Sequence, residues 1–266
     1  MKKLLALVLT LMLAVTMFAG CGNDAANNAA SSNASEVAAV KEAKKLVIGY
    51  TIYEPMNFTK DGEFTGFDTE FAKAVCEKLG VEPEFVEINW DTKFVTLDAK
   101  EIDCIWNGMT ISDEVKKNCD VSKAYTKNSQ VVVMKKDALS KYADVASLKD
   151  LKFVAEAGSA GEAAIKDNGL DANYTPAATQ AEAMVALKAG QADACVIDST
   201  MANSITKAGT DYEEFGYSVE LTTEEYGIGY RKGSDLKTEI DKIIDELAAD
   251  GTLKALAEKY DLNLAF

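Results

Sequence analysis

From residue 46 onward, short apolar runs of strand length alternate with segments whose apolar residues recur at helical spacing. The runs that predict strands are residues 46–49, 84–88, 102–106, 129–134, 153–156, 194–197, 217–221 and 226–230. The clearest helix follows Asp68, which is a favourable N-cap residue, and it ends at Gly80. Alternating strands and helices predict an α/β fold with parallel-rich sheets covered by helices.

Three further helix starts can be read from polar residues that precede an apolar pattern. Ser159–Glu162 and Thr179–Glu182 both have the spacing of a capping box, in which the hydroxyl and the carboxyl satisfy free backbone amides. Ser234 is predicted to cap the last amphipathic helix, which Gly251 breaks and restarts.

Two segments of the chain have similar sequences. Residues 99–104 read Ala-Lys-Glu-Ile-Asp-Cys and residues 189–194 read Ala-Gly-Gln-Ala-Asp-Ala. Each combines a helix end, a turn and the start of a buried strand. This repetition predicts two similar α/β lobes.

The N-terminal residues are predicted to lie outside the fold. Lys2 and Lys3 precede an apolar run over residues 4–18, which is typical of a secretory signal peptide and short for a membrane span. Residues 18–21, Phe-Ala-Gly-Cys, resemble a bacterial lipobox, which predicts that residues 1–20 are removed and that Cys21 carries lipid. A buried or disulfide-bonded Cys21 is the alternative. Residues 21–44 are mostly small and polar and predict a flexible tether.

Charge and composition exclude several functions. The chain has 28 basic and 43 acidic residues, a formal charge of −15, and a single arginine, Arg231. We therefore expect no nucleic-acid partner, because such binding needs clustered basic residues. With no histidine, His-based catalysis and His metal sites are excluded, and the cysteines include no Cys-x-x-Cys pair, so we expect no metal and no cofactor.

Four cysteines remain after Cys21: Cys76, Cys104, Cys119 and Cys195. An even number in an exported protein permits disulfides. Cys104 and Cys195 lie in predicted core strands of different lobes, so they are not expected to pair. Cys76 and Cys119 are the remaining candidates, and we expect all four to be free thiols.

Polar residues follow several of the predicted strands. They are residues 107–110 in the first lobe and residues 158–160 and 198–200 in the second. Ligands of open α/β sheets bind at the carboxyl ends of strands, so these positions predict a site for a small polar ligand.

The order and spacing of several motifs make the chain resemble the polar amino-acid substrate-binding proteins of bacterial ABC importers, the type 3 solute-binding family. The motifs lie at residues 45–49, 53–56, 65–68, 90–91, 107–111, 157–159, 192–198, 226–232 and 249–252. The resemblance implies a periplasmic-binding-protein-like type II fold with two α/β lobes joined by two hinge strands. Lobe 1 is expected at residues 45–132 plus 225–266, and lobe 2 at residues 133–224.

In the first lobe, the resemblance implies ligand contacts at five positions. Tyr53 and Trp90 match aromatic or apolar positions that cover the ligand, with core packing as the alternative. Asn107, Gly108 and Thr110 match positions that present backbone and side-chain groups to it. Here the alternative is a turn whose polar groups satisfy one another.

In the second lobe, Ser159 and Ala160 match the pair that offers amides to a ligand carboxylate, an anion site at a helix N-terminus that is compatible with N-capping by Ser159. Asp198 matches the carboxylate that pairs with the ligand's α-ammonium. Glu156 precedes Gly158 by two residues and is a further candidate at the same edge. Arg231 falls in the hinge-strand motif, where we expect it at the surface.

One position departs from the family. Where the family places an arginine that binds the ligand carboxylate in a bidentate fashion, this chain has Val115. Lys116 or Lys117 could replace it as a point charge without the planar fork. Either the ligand carboxylate relies on the amides near Ser159 or the ligand lacks a carboxylate, and the uncompensated Asp198 and Glu156 favour a cationic or amine-bearing ligand.

The resemblance therefore implies binding rather than catalysis. The expected function is capture of an amino acid or related amine-bearing solute and its delivery to an ABC permease with its ATPase. The protein is expected to be a monomer, lipid-anchored to the extracytoplasmic face of the cell membrane. The alternative is a secreted enzyme similar to cyclohexadienyl dehydratases, which share this fold and place a general acid in the same cleft, where Glu156 is the candidate.

Overall fold

The computed structural model describes residues 35–266. The predicted signal peptide, Cys21 and most of the predicted tether lie outside the described residues. The strands are β1 Lys45–Tyr50, β2 Phe58–Lys60, β3 Glu63–Thr65, β4 Glu82–Glu87, β5 Cys104–Thr110, β6 Asp120–Val121, β7 Thr126–Lys135, β8 Phe153–Glu156, β9 Tyr174–Ala177, β10 Ala194–Asp198 and β11 Phe215–Tyr230. The helices are α1 Glu36–Ala43, α2 Phe67–Leu79, α3 Lys93–Asp98, α4 Asp113–Asn118, α5 Ala160–Asp167, α6 Gln180–Lys188, α7 Ser199–Ile205, α8 Leu236–Ala249 and α9 Thr252–Tyr260.

A long antiparallel strand pair connects two parallel parts of one sheet. The strand order is β4-β1-β5-β11-β7-β10-β8-β9, with β6 paired to β11. Strands β4, β1 and β5 are parallel, and so are β10, β8 and β9. Between these groups, β11 pairs antiparallel with β7 over most of its length and with β5 at its C-terminal end. This confirms the predicted fold of two α/β lobes joined by two strands, whereas the residue boundaries of the lobes remain a prediction.

The two similar segments have the same local structure. Asp103 exchanges hydrogen bonds with Val47 at the start of β1, from Val47 N to Asp103 Oδ2 at 2.9 Å and from Asp103 N to Val47 O at 2.7 Å. Asp193 does the same with Lys152 just before β8, at 2.9 Å in both directions. In each lobe the aspartate therefore fixes the start of a buried strand against its neighbour.

The predicted helix starts are partly confirmed. The Ser159 and Thr179 hydroxyls accept hydrogen bonds from the amides of Glu162 and Glu182, as a capping box requires. Asp235, and not Ser234, occupies the cap position of α8, but the Ser234 hydroxyl accepts a hydrogen bond from the amide of Leu236, the first residue of the helix, at 3.3 Å. The predicted capping by Ser234 is therefore present from one residue before the cap position, and the same hydroxyl donates to the Glu36 carboxylate.

Asp68 does not cap α2, which corrects the prediction from sequence. The helix begins at Phe67, two residues earlier than a cap at Asp68 would place it, and its cap position is Gly66, which has no side chain to offer. Asp68 is fully buried, and its Oδ2 accepts hydrogen bonds from Gly108 N at 2.7 Å and from the Tyr125 hydroxyl at 3.0 Å. Burial raises the pKa of its carboxyl to about 7.

The predicted tether is too long at its C-terminal end. Residues 36–43 form α1, and the Asp235 carboxylate accepts hydrogen bonds from two amides of its first turn at 2.9 and 3.0 Å. Arg231 pairs with Glu36 at 2.5 Å and its side chain is only 11% exposed, so its predicted surface position is also wrong. These polar contacts hold α1 in place, although its sequence has too few large apolar residues to predict an ordered segment.

The four cysteines from Cys76 onward are free and buried, as predicted from their positions. Burial raises the pKa of every one of these thiols, which keeps them protonated and unreactive. Within residues 35–266, no helix has the length and apolar content needed to cross a membrane.

Replacing Gly66 by alanine is expected to lower the free energy of unfolding by about 3 kcal/mol, whereas Gly62→Ala is expected to cost about 1 kcal/mol. Both glycines have positive φ, +125° and +84°. A Cβ on Gly66 would lie 2.1 Å from Met56 O, but one on Gly62 would meet nothing within 4 Å. Urea denaturation of the two variants measures the difference, and equal losses would contradict this reading of the Gly66 turn.

Candidate functional site

A cavity of about 530 Å³ opens between the two parallel parts of the sheet. Its walls come from the carboxyl ends of β5, β8 and β10, from the middle of β11 and from the N-terminus of α5. Eight of the nine residues predicted to bind a ligand line this one cavity: Trp90, Asn107, Gly108, Thr110, Glu156, Ser159, Ala160 and Asp198. Its size falls within the usual range for small-molecule sites.

Tyr53 is the predicted site residue that does not line the cavity. It is 1% exposed, and its hydroxyl lies 2.6 Å from the hydroxyl of Tyr226. A Cβ added to Gly108 would lie 2.7 Å from the Tyr53 ring, and Gly108 also has a φ of +57°. Tyr53 therefore packs behind the β5 backbone, and only glycine fits between its ring and the cavity.

Asn107 lines the cavity, but its side chain is already hydrogen-bonded within the protein. Its Oδ1 accepts hydrogen bonds from the amide and hydroxyl of Thr51, at 3.0 and 2.8 Å. Its Nδ2 donates to Thr51 O and to Asn57 Oδ1. These bonds occupy both the oxygen and the nitrogen of the Asn107 side chain. For this side chain, the structure therefore matches the alternative interpretation, in which the polar groups of the turn satisfy one another.

Asp198 ends β10 within a group of side-chain amides. Its Oδ1 accepts hydrogen bonds from Asn128 Nδ2 at 2.5 Å and from Gln130 Nε2 at 2.7 Å, and its Oδ2 accepts one from Gln180. Glu224 Oε1 accepts from the same two donors, Asn128 at 2.7 Å and Gln130 at 2.8 Å. Two carboxyl groups therefore share the same amide donors.

Burial raises the pKa of both carboxyl groups of this pair, that of Glu224 to about 7. The charge of Asp198 contributes to the shift of Glu224, and the shared amides oppose it. In the absence of a cation, holding a proton on this pair relieves the repulsion between two buried like charges. An arriving ammonium group would relieve the same repulsion.

Glu156 ends β8, the strand beside β10, and is 2% exposed. Its Oε1 is buried and has no hydrogen-bond partner. Burial and the charge of Asp198 raise the pKa of this carboxyl to about 8, although the nearby Lys93 lowers it. An unpartnered buried carboxyl that lines a cavity is costly unless a ligand contacts it.

The N-terminus of α5 is occupied by the protein's own groups. Ser159 Oγ accepts from Glu162 N at 3.2 Å, and Glu162 Oε2 accepts from Gly158 N at 2.7 Å. The N-capping role foreseen for Ser159 is present. A carboxylate of the chain itself already lies at the positive end of this helix.

The sequence and the fold both match known proteins. The model of the bacterial extracellular solute-binding proteins, family 3, matches residues 46–263. This chain belongs to that family. The ABC transporter glutamine-binding protein GlnH of Bacillus subtilis is 32% identical over 270 residues, which cover 98% of this chain and 97% of GlnH.

Two solved structures have the same fold as this chain. An ABC uptake transporter substrate-binding protein of Streptococcus pneumoniae with bound histidine has a TM-score of 0.76 and 32% identity, covering 84% of this chain and 94% of that one. The ancestral amino acid-binding protein AncCDT-1, a precursor of cyclohexadienyl dehydratase, has a TM-score of 0.79 and 31% identity, covering 85% and 99%.

Val115, which stands where the resemblance in sequence implied an arginine, lines the cavity and is 6% exposed. Lys116 and Lys117 are exposed and lie outside the cavity lining, so neither takes the place of the arginine. The Val115 side chain therefore offers no charge and no hydrogen-bond donor to a ligand carboxylate.

Lys93 also lines the cavity, although it is not among the site residues predicted from the sequence. Its Nζ donates to Trp90 O at 3.1 Å and to Gly158 O at 2.8 Å, and it lies 5.0 Å from the centre of the Trp90 ring. A Cβ on Gly158 would lie 2.8 Å from Asp91 Cα, so the two lobes are in close contact here. Lys93 thus links the first lobe to the second.

Glu224, the other missed residue, had a weak signal in the sequence. It lies on β11, next to Asn128 and Gln130, two amide side chains at alternate positions of β7. Among the described residues, no group of three potential ligands could hold a metal ion.

Proposed function

We propose that this chain is the extracytoplasmic substrate-binding component of an ABC importer and that it captures an amino acid or a related amine-bearing solute between its two lobes. The observation that carries this proposal is the Asp198–Glu224 pair, a buried and a half-buried carboxyl group that share amide donors and line the cavity. A cationic group is the chemical partner that such a pair lacks. GlnH and the histidine-bound structure support the class of solute.

Capture would couple to closure of the lobes. Lys93 already donates across the cleft to Gly158, and a ligand that contacts β5 in one lobe and β10 in the other adds contacts made only in the closed state. Such contacts shift the population toward the closed form. We propose that the protein delivers its ligand to the permease and its ATPase in this closed form.

The membrane attachment is also a proposal. The segment of residues 18–21 supports lipidation of Cys21, which would hold a monomeric binding protein at the extracytoplasmic face of the cell membrane. A tether from residue 21 to α1 would then separate the lipid from the folded body.

A thermal-unfolding panel of the twenty amino acids and of simple amines tests the proposed function. A ligand that binds only the folded protein at 100 times its dissociation constant stabilises it by about 2.7 kcal/mol, which gives a clear rise in Tm. We expect amine-bearing solutes to raise Tm, and succinate, which has carboxylates but no amine, to leave it unchanged. A rise with succinate alone would contradict the proposal.

The enzyme alternative has one supporting observation, namely that Glu156 is buried in the cavity lining, where burial raises the pKa of its carboxyl to about 8. AncCDT-1, whose description names it a precursor of cyclohexadienyl dehydratase, shares the fold. Turnover of prephenate or arogenate would establish this alternative. Those substrates carry carboxylates, for which Val115 provides no cationic partner.

A further inference from the structure

Lys93 carries the only positive charge among the described residues that line the cavity. The other ionisable side chains of this lining are acidic, namely Glu114, Glu156, Asp167, Asp198 and Glu224. Lys93 is 4% exposed, and a lysine is almost never buried to this degree unless its charge is paired. The partner of this buried cation is therefore the point to establish.

Neutral groups of the protein hold the ammonium group of Lys93. Its Nζ donates to Trp90 O at 3.1 Å and to Gly158 O at 2.8 Å, and it lies 4.8 Å from the centre of the Phe94 ring. An ammonium group has three N–H donors, so one remains after these two hydrogen bonds. Within residues 35–266, no carboxylate forms a salt bridge with Lys93. A ligand can supply the anion that this buried charge lacks.

Glu156 is the acidic neighbour that could have served as this partner. Burial lowers the pKa of Lys93, and the charges of Glu114 and Glu156 favour its charged form. Burial and the charge of Asp198 nevertheless raise the pKa of Glu156 to about 8, although Lys93 lowers it. A carboxyl with this pKa mostly holds its proton at pH 7. The two groups therefore act on each other's charge without forming an ion pair.

The other parts of this lining offer a ligand carboxylate no full positive charge. Val115 is apolar. At the N-terminus of α5, the Glu162 carboxylate already accepts the Gly158 amide at 2.7 Å, so a second carboxylate there meets a negative charge of the chain itself. Lys93 Nζ contacts the same residue through Gly158 O, and its charge offsets that repulsion.

The strand register brings Lys93 and Asp198 to adjacent strand ends. Parallel strands β8 and β10 pair Val154 with Cys195, so Asp198 comes level with the residue just before Gly158. Neighbouring strands lie about 4.8 Å apart. Since the Gly158 carbonyl accepts from Lys93, an ammonium and a carboxylate of the protein lie at neighbouring points of the cavity lining. An α-amino acid carries the two complementary charges on one carbon atom.

We infer that Lys93 is the counter-ion of the ligand's α-carboxylate and that it makes a carboxylate a requirement for tight binding. The remaining N–H of Lys93 donates to the carboxylate, and Asp198 takes the α-ammonium. The inference rests on the proposed function, because it assigns a further binding residue to the same cavity. It gives Lys93 a role in selectivity in addition to its contact between the two lobes.

The test uses calorimetric titration of the whole protein at pH 7.5 with pairs of ligands that differ only in the carboxylate. The probes are the twenty L-amino acids, each paired with the amine that lacks its α-carboxylate, such as histamine for L-histidine. For every amino acid that binds the wild type, we expect its amine to bind at least about tenfold more weakly, the usual effect of losing a hydrogen bond to a charged group. Equal affinities within the pairs would overturn the inference.

Two variants of Lys93 separate its charge from its contact between the lobes. Lys93→Met removes both, and Lys93→Gln removes the charge but keeps an N–H donor that can reach Gly158 O. In each variant we expect the amino acid to bind at least about tenfold more weakly and its amine to change less than about threefold. Lys117→Met makes the same substitution at an exposed position outside the cavity lining and should leave both affinities unchanged. Denaturant midpoints show that each variant is folded, and Lys93→Gln keeps the test available if Lys93→Met is not.

The outcomes distinguish this inference from the proposed function. If a folded Lys93 variant weakens an amino acid and its amine by the same factor, Lys93 acts only through the contact between the lobes, and the inference is refuted. If the variants still prefer the amino acid as strongly as the wild type does, the carboxylate binds elsewhere, and the inference is refuted while the amino-acid importer stands. Failure of every amino acid and every amine to bind the wild type would refute both.

Discussion

Replacing Asp198 by asparagine is expected to raise the dissociation constant of an amine-bearing ligand by about 100-fold. Removing one partner of a buried, hydrogen-bonded charge pair costs about 2–5 kcal/mol of binding free energy. Asparagine keeps the size of the side chain, and the surrounding donors of Asn128, Gln130 and Gln180 lose only a charged acceptor. Calorimetric titration of the wild type and the variant measures the change.

The control for this experiment is Asp150→Asn, which changes an exposed aspartate outside the cavity lining and should alter the dissociation constant less than twofold. Denaturant midpoints of both variants show whether they remain folded. If the Asp198→Asn protein is folded and binds the ligand as tightly as the wild type, the Asp198 carboxylate does not bind the ligand's cationic group.

Ligand affinity is expected to fall by at least tenfold between pH 8 and pH 6. In the empty cavity, the pKa of Glu156 is about 8 and that of Glu224 about 7, and the groups that face them are Lys93 for Glu156 and Asp198 for both. A cation binds the ionised carboxyl groups, so capture must release the protons that they hold at lower pH. For each proton that must be released, the affinity falls about tenfold for every unit by which the pH lies below the pKa of that group.

Proton release gives this prediction a second readout. In buffers with different ionisation enthalpies, the measured binding enthalpy should differ at pH 7 by an amount that scales with the protons released. The Glu156→Gln variant should release fewer protons than the wild type. Identical enthalpies in all buffers, together with a flat pH profile, would contradict the assignment of these groups.

The raised pKa of Glu156 also makes the stability of the ligand-free protein depend on pH. Glutamate titrates near 4.3 in an unfolded chain, and Glu156 near 8 in the folded protein. Between these values the folded state holds more protons than the unfolded chain, so the free energy of unfolding falls as the pH rises through this window. This contribution is fully present below the unfolded pKa, and it should be absent in Glu156→Gln.

The fold and the location of the site could be predicted because each depends on local sequence patterns. Apolar runs and capping boxes identified most strands and helices, and residues such as Asp198 follow directly after a buried strand. Since the carboxyl ends of neighbouring strands meet at one edge of a sheet, residues distant in sequence were expected to converge. The cavity lining confirms that convergence for eight positions.

The positions that the sequence did not predict depend on contacts between distant parts of the chain. Lys93 lies in the first turn of a helix, a typical solvent-exposed position, and only the approach of Gly158 from the other lobe makes it part of the cavity. The Tyr53 motif predicts an aromatic ring over the ligand, but packing behind Gly108 decides which way this ring faces. Arg231 is buried rather than at the surface because it pairs with Glu36, which lies in a segment predicted to be a flexible tether.

The position of the ligand's nitrogen in a crystal structure of the loaded protein tests the role of Asp198 most directly. We expect a cationic nitrogen within hydrogen-bonding distance, about 3 Å, of the Asp198 carboxylate. A ligand whose nitrogen lies elsewhere, or whose carboxylate faces Asp198, would contradict it.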